Sequence, residues 1–148
     1  MKVVKFGGSS LASATQLEKV LNIVKSDPER RFVVVSAPGK RHDDDIKVTD
    51  ALIKYYREYI AGNDVTPNQQ WIINRYADMV AELDLKPKVL EKISKSITSL
   101  ATLPIEDNAF LYDTFLAAGE NNNAKLIAAY FSQNGLPARY VHPREAGL

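Results

Sequence analysis

The chain has 148 residues and a mass of 16.5 kDa, enough for one domain with a real core. Hydrophobic residues at 45% and charged residues at 25% argue against disorder and low complexity, and a net charge of +1 gives no electrostatic reason to bind nucleic acid or an anionic membrane. The complete lack of cysteine excludes disulfides, thiolate zinc sites and cysteine nucleophiles, and two histidines far apart, His42 and His142, do not make a metal centre.

No apolar run approaches a membrane span, and the opening run is too short for a signal-peptide core. A soluble cytoplasmic protein is expected. The first segment, Lys2 to Phe6, is β-prone and ends at Gly7-Gly8-Ser9-Ser10. Leu17, Val20, Leu21 and Val24 then recur at helical spacing, which predicts a helix with one apolar face. Ser13 with Gln16, or Thr15 with Glu18, would cap its start, and Pro28 ends it. Phe32-Val33-Val34-Val35 is a continuous apolar run that suits a strand covered on both faces. Strand, glycine turn, helix and strand make a βαβ unit with a parallel, right-handed crossover.

Residues 39–46 form a polar loop. Val48, Leu52, Ile53, Tyr56 and Ile60 mark the next helix, Gly62-Asn63-Asp64 a turn, and Pro67 and Pro87 the starts of two more helices. Residues 105–118 read as helical, Gly119 as an interruption, and Asn121 to Ser132 as a resumed helix closed by Asn134-Gly135. Ala138 to Val141 reads as a third strand. The expected architecture is therefore α/β, a mostly parallel sheet with a helical insertion between strands. A sheet so thin has exposed edges, which favour pairing with another chain and hence a homo-oligomer. The last six residues look like the start of a loop, so residues 1–148 are expected to be a piece of a longer domain.

Chemistry concentrates at a few points. Gly7 and Gly8 let backbone amides approach a phosphate at a helix start, and Lys5 can neutralise charge on a transferred phosphoryl group. The spacing is neither a Walker A loop nor a Rossmann fingerprint, and a plain βα turn with an exposed lysine is the alternative. Ser36 to Arg41 lies on the same sheet edge, where Lys40 and Arg41 would attract an anion or simply be solvated. Asp43-Asp44-Asp45 cannot all face one ion without an unusual loop, and no metal site is assigned. Thr49 either caps its helix or faces a substrate; Glu120 is either a helix N-terminal charge or a partner for a substrate ammonium. Asn121, Asn122 and Asn123 read as surface or capping residues. Tyr55, Tyr56, Tyr59, Trp71 and Tyr76 read as helix packing, and the region from Val48 to Ala118 as a cover without catalytic content.

Five segments, in order, resemble aspartate kinases of the amino-acid kinase family. They are Lys5-Phe6-Gly7-Gly8-Ser9-Ser10, Val33 to Lys40, Lys47-Val48-Thr49-Asp50, Gly119-Glu120 with its helix, and Tyr140 to Gly147. The resemblance implies a three-layer αβα fold, of which this chain holds the N-terminal, substrate-side part. It implies transfer of the ATP γ-phosphoryl to the side-chain carboxylate of L-aspartate, with Mg²⁺ mainly phosphate-bound, in lysine and threonine synthesis. On matching positions, Lys5 would be catalytic and, with Gly7, Gly8 and Ser9, would line the phosphate path. Thr49 and Glu120 would hold the aspartate. The family's substrate arginine, nucleotide-base pocket and ACT domains have no counterpart in these residues, so the chain alone is expected to be inactive. Other members of the fold family, acting on acetylglutamate, glutamate, carbamate or UMP, fit Thr49 and Glu120 less well. A rival of a different class is a non-catalytic binding module descended from such a kinase.

Overall fold

A computed structural model describes residues 1–147. β1 (Lys2–Phe6) and β2 (Arg30–Val35) pair in parallel across helix α1 (Ala14–Lys25), as the βαβ pattern requires. Ser13 is the helix cap: its hydroxyl accepts from the Gln16 N–H at 3.3 Å, which decides between the two candidate boxes. Leu17, Val20, Leu21 and Val24 are all buried, each contributing about 1.5–3 kcal/mol of apolar burial.

Helices follow in sequence: α2 (Val48–Ile60), α3 (Thr66–Glu82), α4 (Pro87–Ser99) and α5 (Asn108–Gln133). Proline sits at the first positions of α3 and α4, where a missing N–H costs nothing. Neighbouring helices α2, α3, α4 and α5 share one apolar core with α1 and with the inward side of the sheet, Phe6, Val33 and Val35. At its centre lies Phe115, fully buried, with the Tyr55 ring edge-on at 4.8 Å and the Tyr59 ring stacked at 5.7 Å. Both tyrosine hydroxyls donate to backbone carbonyls, Tyr55 to Ile97 at 2.9 Å and Tyr59 to Leu103 at 2.5 Å. These aromatics are packing residues, as their spacing predicts. No helix among the described residues is long and apolar enough to cross a membrane.

Three expectations need correction. First, residues 138–141 are not a strand: among the described residues the sheet has two strands. The Ser132 hydroxyl in the last turn of α5 accepts from the Ala138 N–H at 3.0 Å and donates to its carbonyl at 3.1 Å. Both backbone groups that a ladder would use at Ala138 are thus engaged locally. Second, β2 is covered on one face only. In register with Val3 and Lys5, Phe32 and Val34 lie on the opposite side and are exposed. Third, Gly119 does not interrupt a helix; α5 runs through it. A Cβ there would stand 2.9 Å from both the Ala37 Cβ and Leu52 Cδ1, so the glycine serves close packing.

Truncating Phe115 to Ala removes the ring on which α2 and α5 meet. The expected loss is about 3–5 kcal/mol, read as a lower urea midpoint.

Candidate functional site at the sheet's C-terminal edge

Both strands end in turns that touch. Gly7 continues extended from β1 (φ −80°, ψ 170°), and a short 3₁₀ turn over Gly8–Leu11 follows. On the other side, the Ser36 N–H prolongs the ladder to the Phe6 carbonyl at 3.3 Å, and the Gly39 N–H donates to the Gly8 carbonyl at 2.9 Å. A Cβ on Gly39 would lie 2.7 Å from the Gly8 carbonyl carbon and 2.9 Å from the Ser9 nitrogen. On Gly8 it would meet the Ala37 carbonyl oxygen at 3.0 Å. Gly8 and Gly39 are therefore glycines because one backbone lies on another. Gly7 differs: it is exposed, and a Cβ on it would meet nothing within 4 Å.

Two helices bring the remaining candidates to this edge. The Val48 N–H at the start of α2 donates to the Pro38 carbonyl at 3.1 Å, which sets Thr49 beside the second turn. The N-cap position is Lys47, whose side chain caps nothing. Thr49 therefore does not cap the helix; it is half-buried in the first turn, and its hydroxyl has no hydrogen-bond partner among the described residues. Gly119 packs on Ala37 and Val48, and this seats Glu120 next to the same turn. Glu120 is exposed and lies well inside α5, so it is not a helix N-terminal charge. Lys5, exposed near the end of β1, projects on the uncovered face of the sheet; Ser9 is exposed in the 3₁₀ turn. The structure thus gathers Gly8, Ser9, Thr49 and Glu120 around the paired turns, with Lys5 and Gly7 at the adjoining strand end.

Other residues prove structural. Arg41 pairs with Asp45, its Nε 2.7 Å from Oδ2 and its backbone N–H 2.9 Å from the same oxygen, and its Nη1 reaches Asp78 at 3.3 Å. Arg41 and Asp45 therefore brace the loop from within: Asp45 is buried, and Arg41, though exposed, spends its charge on two carboxylates of the chain. The guanidinium holds the Asp45 carboxyl far below the usual carboxylate range. Among the described residues, no three His, Asp or Glu side chains cluster as a metal site.

The asparagine run also departs from its surface reading. Asn122 and Asn123 are fully buried. Asn123 Nδ2 donates to the Ser36 carbonyl at 2.8 Å, tying α5 to the end of β2, and Asn122 Nδ2 donates to Ser96 Oγ at 3.0 Å. Their stride with Gly119 and Leu126 places them on the buried face, a signal present in the periodicity. Composition gave no hint of Arg75, which is 2% exposed and donates from Nη2 to the carbonyls of Ala12 and Gly39.

Two outcomes follow for stability. G39A is expected to cost about 3 kcal/mol, since the clashing atoms are backbone, whereas G7A should stay within about 0.5 kcal/mol; urea denaturation separates them. D45N should lose on the order of 1–2 kcal/mol at neutral pH. Because the folded carboxyl titrates below its unfolded value, this contribution is full above roughly pH 4 and fades as pH falls further. The stability curves of D45N and the parent, measured against pH, should converge in acid.

The whole chain, residues 1–148, matches the amino acid kinase family. It is 49% identical over its full length to Aspartokinase 3 of Bacillus subtilis, covering 33% of that protein, and 27% identical to the chloroplastic Aspartokinase 2 of Arabidopsis thaliana, with 99% of this chain aligned to 27% of that one. The chain therefore spans between about a quarter and a third of the length of these relatives. The aspartate kinase of Clostridium acetobutylicum superposes with a TM-score of 0.71 at 33% identity, over 88% of this chain and 29% of that one. Aspartokinase III of E. coli, crystallised with aspartate and ADP, shares the fold at a TM-score of 0.62 and 22% identity, over 90% of this chain and 29% of its own. With its glycine turns, its parallel βαβ unit and its full-length sequence match, the chain belongs to the amino acid kinase family.

Proposed function

We propose that this chain is the N-terminal, substrate-side part of an aspartate kinase. The observation that carries the reading is the gathering of Thr49 and Glu120 around the paired turns of Gly8 and Gly39, neither side chain having a structural partner among the described residues. The E. coli protein of the same fold was crystallised with aspartate and ADP, which supports this ligand pair.

In the proposed reaction a side-chain oxygen of L-aspartate attacks the ATP γ-phosphorus. The bond to the β-bridging oxygen breaks, ADP leaves, and 4-phospho-L-aspartate forms. A carboxylate is already ionised at neutral pH, so the nucleophile needs no general base; positioning and charge neutralisation carry the rate. Lys5 compensates charge on the moving phosphoryl group, and Gly7, Gly8 and Ser9 line its path. Gly7 offers the open backbone approach that a phosphate needs. The Glu120 carboxylate holds the α-ammonium, which an N-acylated amino acid lacks, and the Thr49 hydroxyl contacts the substrate. Among the described residues no three carboxylates or histidines cluster, which suits an Mg²⁺ that would be held mainly by the phosphate oxygens and would offset their charge.

The test traps the acyl phosphate with hydroxylamine, first with the chain alone, then with a hybrid in which it replaces the matching third of the Bacillus relative. The chain alone should give no hydroxamate, and the hybrid should turn over. In the hybrid, K5A should lower kcat by about 10²–10³-fold. G7A, which spares stability, should lower it by at least about tenfold because its methyl occupies the phosphate approach. A folded but inactive hybrid would overturn the reading and favour a binding module; robust hydroxamate from the chain alone would refute its dependence on the missing part.

A further inference from the structure

We infer that helix α3, through its consecutive residues Arg75 and Tyr76, is a strut that sets the phosphate-side turns and the substrate-side helix in fixed relation. Successive residues on a helix diverge by about 100°, so neighbours can reach two different partners. Arg75 Nη2 donates to the Ala12 carbonyl, where the first glycine turn meets α1, and to the Gly39 carbonyl at 3.2 Å in the second turn. The Tyr76 hydroxyl donates to the Gly119 carbonyl at 2.9 Å, one residue before Glu120. Three chain segments far apart in sequence are thereby held from one helical turn.

The placement is costly, which argues that it matters. Arg75 is 2% exposed, and its Nε and Nη1 are buried with no hydrogen-bond partner among the described residues. An arginine kept so dry without a carboxylate in contact is disfavoured by desolvation. Asp45 and Asp78 help to hold its charge from a distance, while Arg41 opposes it. A leucine or methionine would fill the same space at lower cost but could not bind two carbonyls at once. Tyr76 is fully buried, and among the described residues its hydroxyl makes one bond, the one to Gly119. Both are positioning residues: each acts through the backbone of another segment.

The kinetic part of this inference rests on the aspartate kinase reading; the structural part does not. Amide hydrogen exchange on the 148-residue chain, with R75K and Y76F, tests the structural part. R75K should speed exchange of the Gly39 amide by on the order of tenfold and leave α5 near its parent rates, whereas Y76F should speed the amides around Gly119 to Asn123 and leave Gly39 unchanged. Uniform acceleration across the chain, or none in either variant, would overturn the strut. In the hybrid kinase, R75K should raise the ATP KM by about tenfold with the aspartate KM held within about twofold, and Y76F the reverse, since sub-ångström misplacement of a binding group is read this way. Equal effects on both constants would refute the assignment of each residue to its own side. If the parent hybrid is inactive, the kinase reading fails and the exchange experiment alone decides the strut.

Discussion

The contact between Gly39 and Gly8 is the constraint on which the rest of the edge depends. Two strand-ending turns lie so close that a single methyl on Gly39 would overlap the neighbouring backbone. The hydrogen bond from the Gly39 N–H to the Gly8 carbonyl continues the parallel ladder beyond the last strand residues. Once the turns are joined, Pro38 presents its carbonyl to the first N–H of α2, and Ala37 presents its methyl to Gly119. Thr49 and Glu120 reach the edge only because this backbone has already been brought there. The two candidate side chains are thus positioned through a contact that involves no side chain.

Around that contact the protein accepts several polar burials. Arg75, Asn122 and Asn123 are almost or wholly out of water, and among the described residues Arg75 leaves two side-chain atoms and each asparagine one without a partner. Buried polar groups add specificity of arrangement rather than net stability. Arg75 and Asn123 lie where the helical layer meets the sheet's end, whereas Asn122 ties α5 to α4 through Ser96. Two of the three thus fasten the helical layer to the strand-end turns, and the third fastens one helix to another.

Much of this was legible from residues alone, for definite reasons. The strand–turn–helix–strand opening follows from period and from glycine and proline punctuation, both local signals. Pro67 and Pro87 announced their helices because a fixed φ suits a first turn. Four of the five segments of family resemblance, those from Lys5 to Ser10, Val33 to Lys40, Lys47 to Asp50 and Gly119-Glu120, fall around the paired turns, while the fifth, Tyr140 to Gly147, follows the end of α5. Illegible features were those decided by distant partners. Gly119 looks like a helix breaker until Ala37 and Leu52 are seen against it. Ala138 to Val141 has strand composition, yet the Ser132 hydroxyl captures its backbone first. Asn122 and Asn123 are polar by type and buried by phase, and the phase was the better guide. Arg75 gave no sign, because what distinguishes it from a surface arginine is two carbonyls 63 and 36 residues away.

The bare side of the two-stranded sheet has a colloidal consequence. Val3, Phe32 and Val34 form an apolar stripe beside unpaired strand edges, the kind of surface on which identical chains stack. Two features oppose stacking. Lys5 places a like charge on every copy of that stripe, so two faces brought together would have to bury both ammonium groups. The register slips between Lys2 and Val3, leaving Arg31 outside the regular pairing, and such an irregularity twists an edge away from flat docking. The electrostatic part of this protection fades as salt screens it, while the twist does not. Lys5 would therefore limit self-stacking of this face in addition to the part proposed for it in phosphoryl transfer.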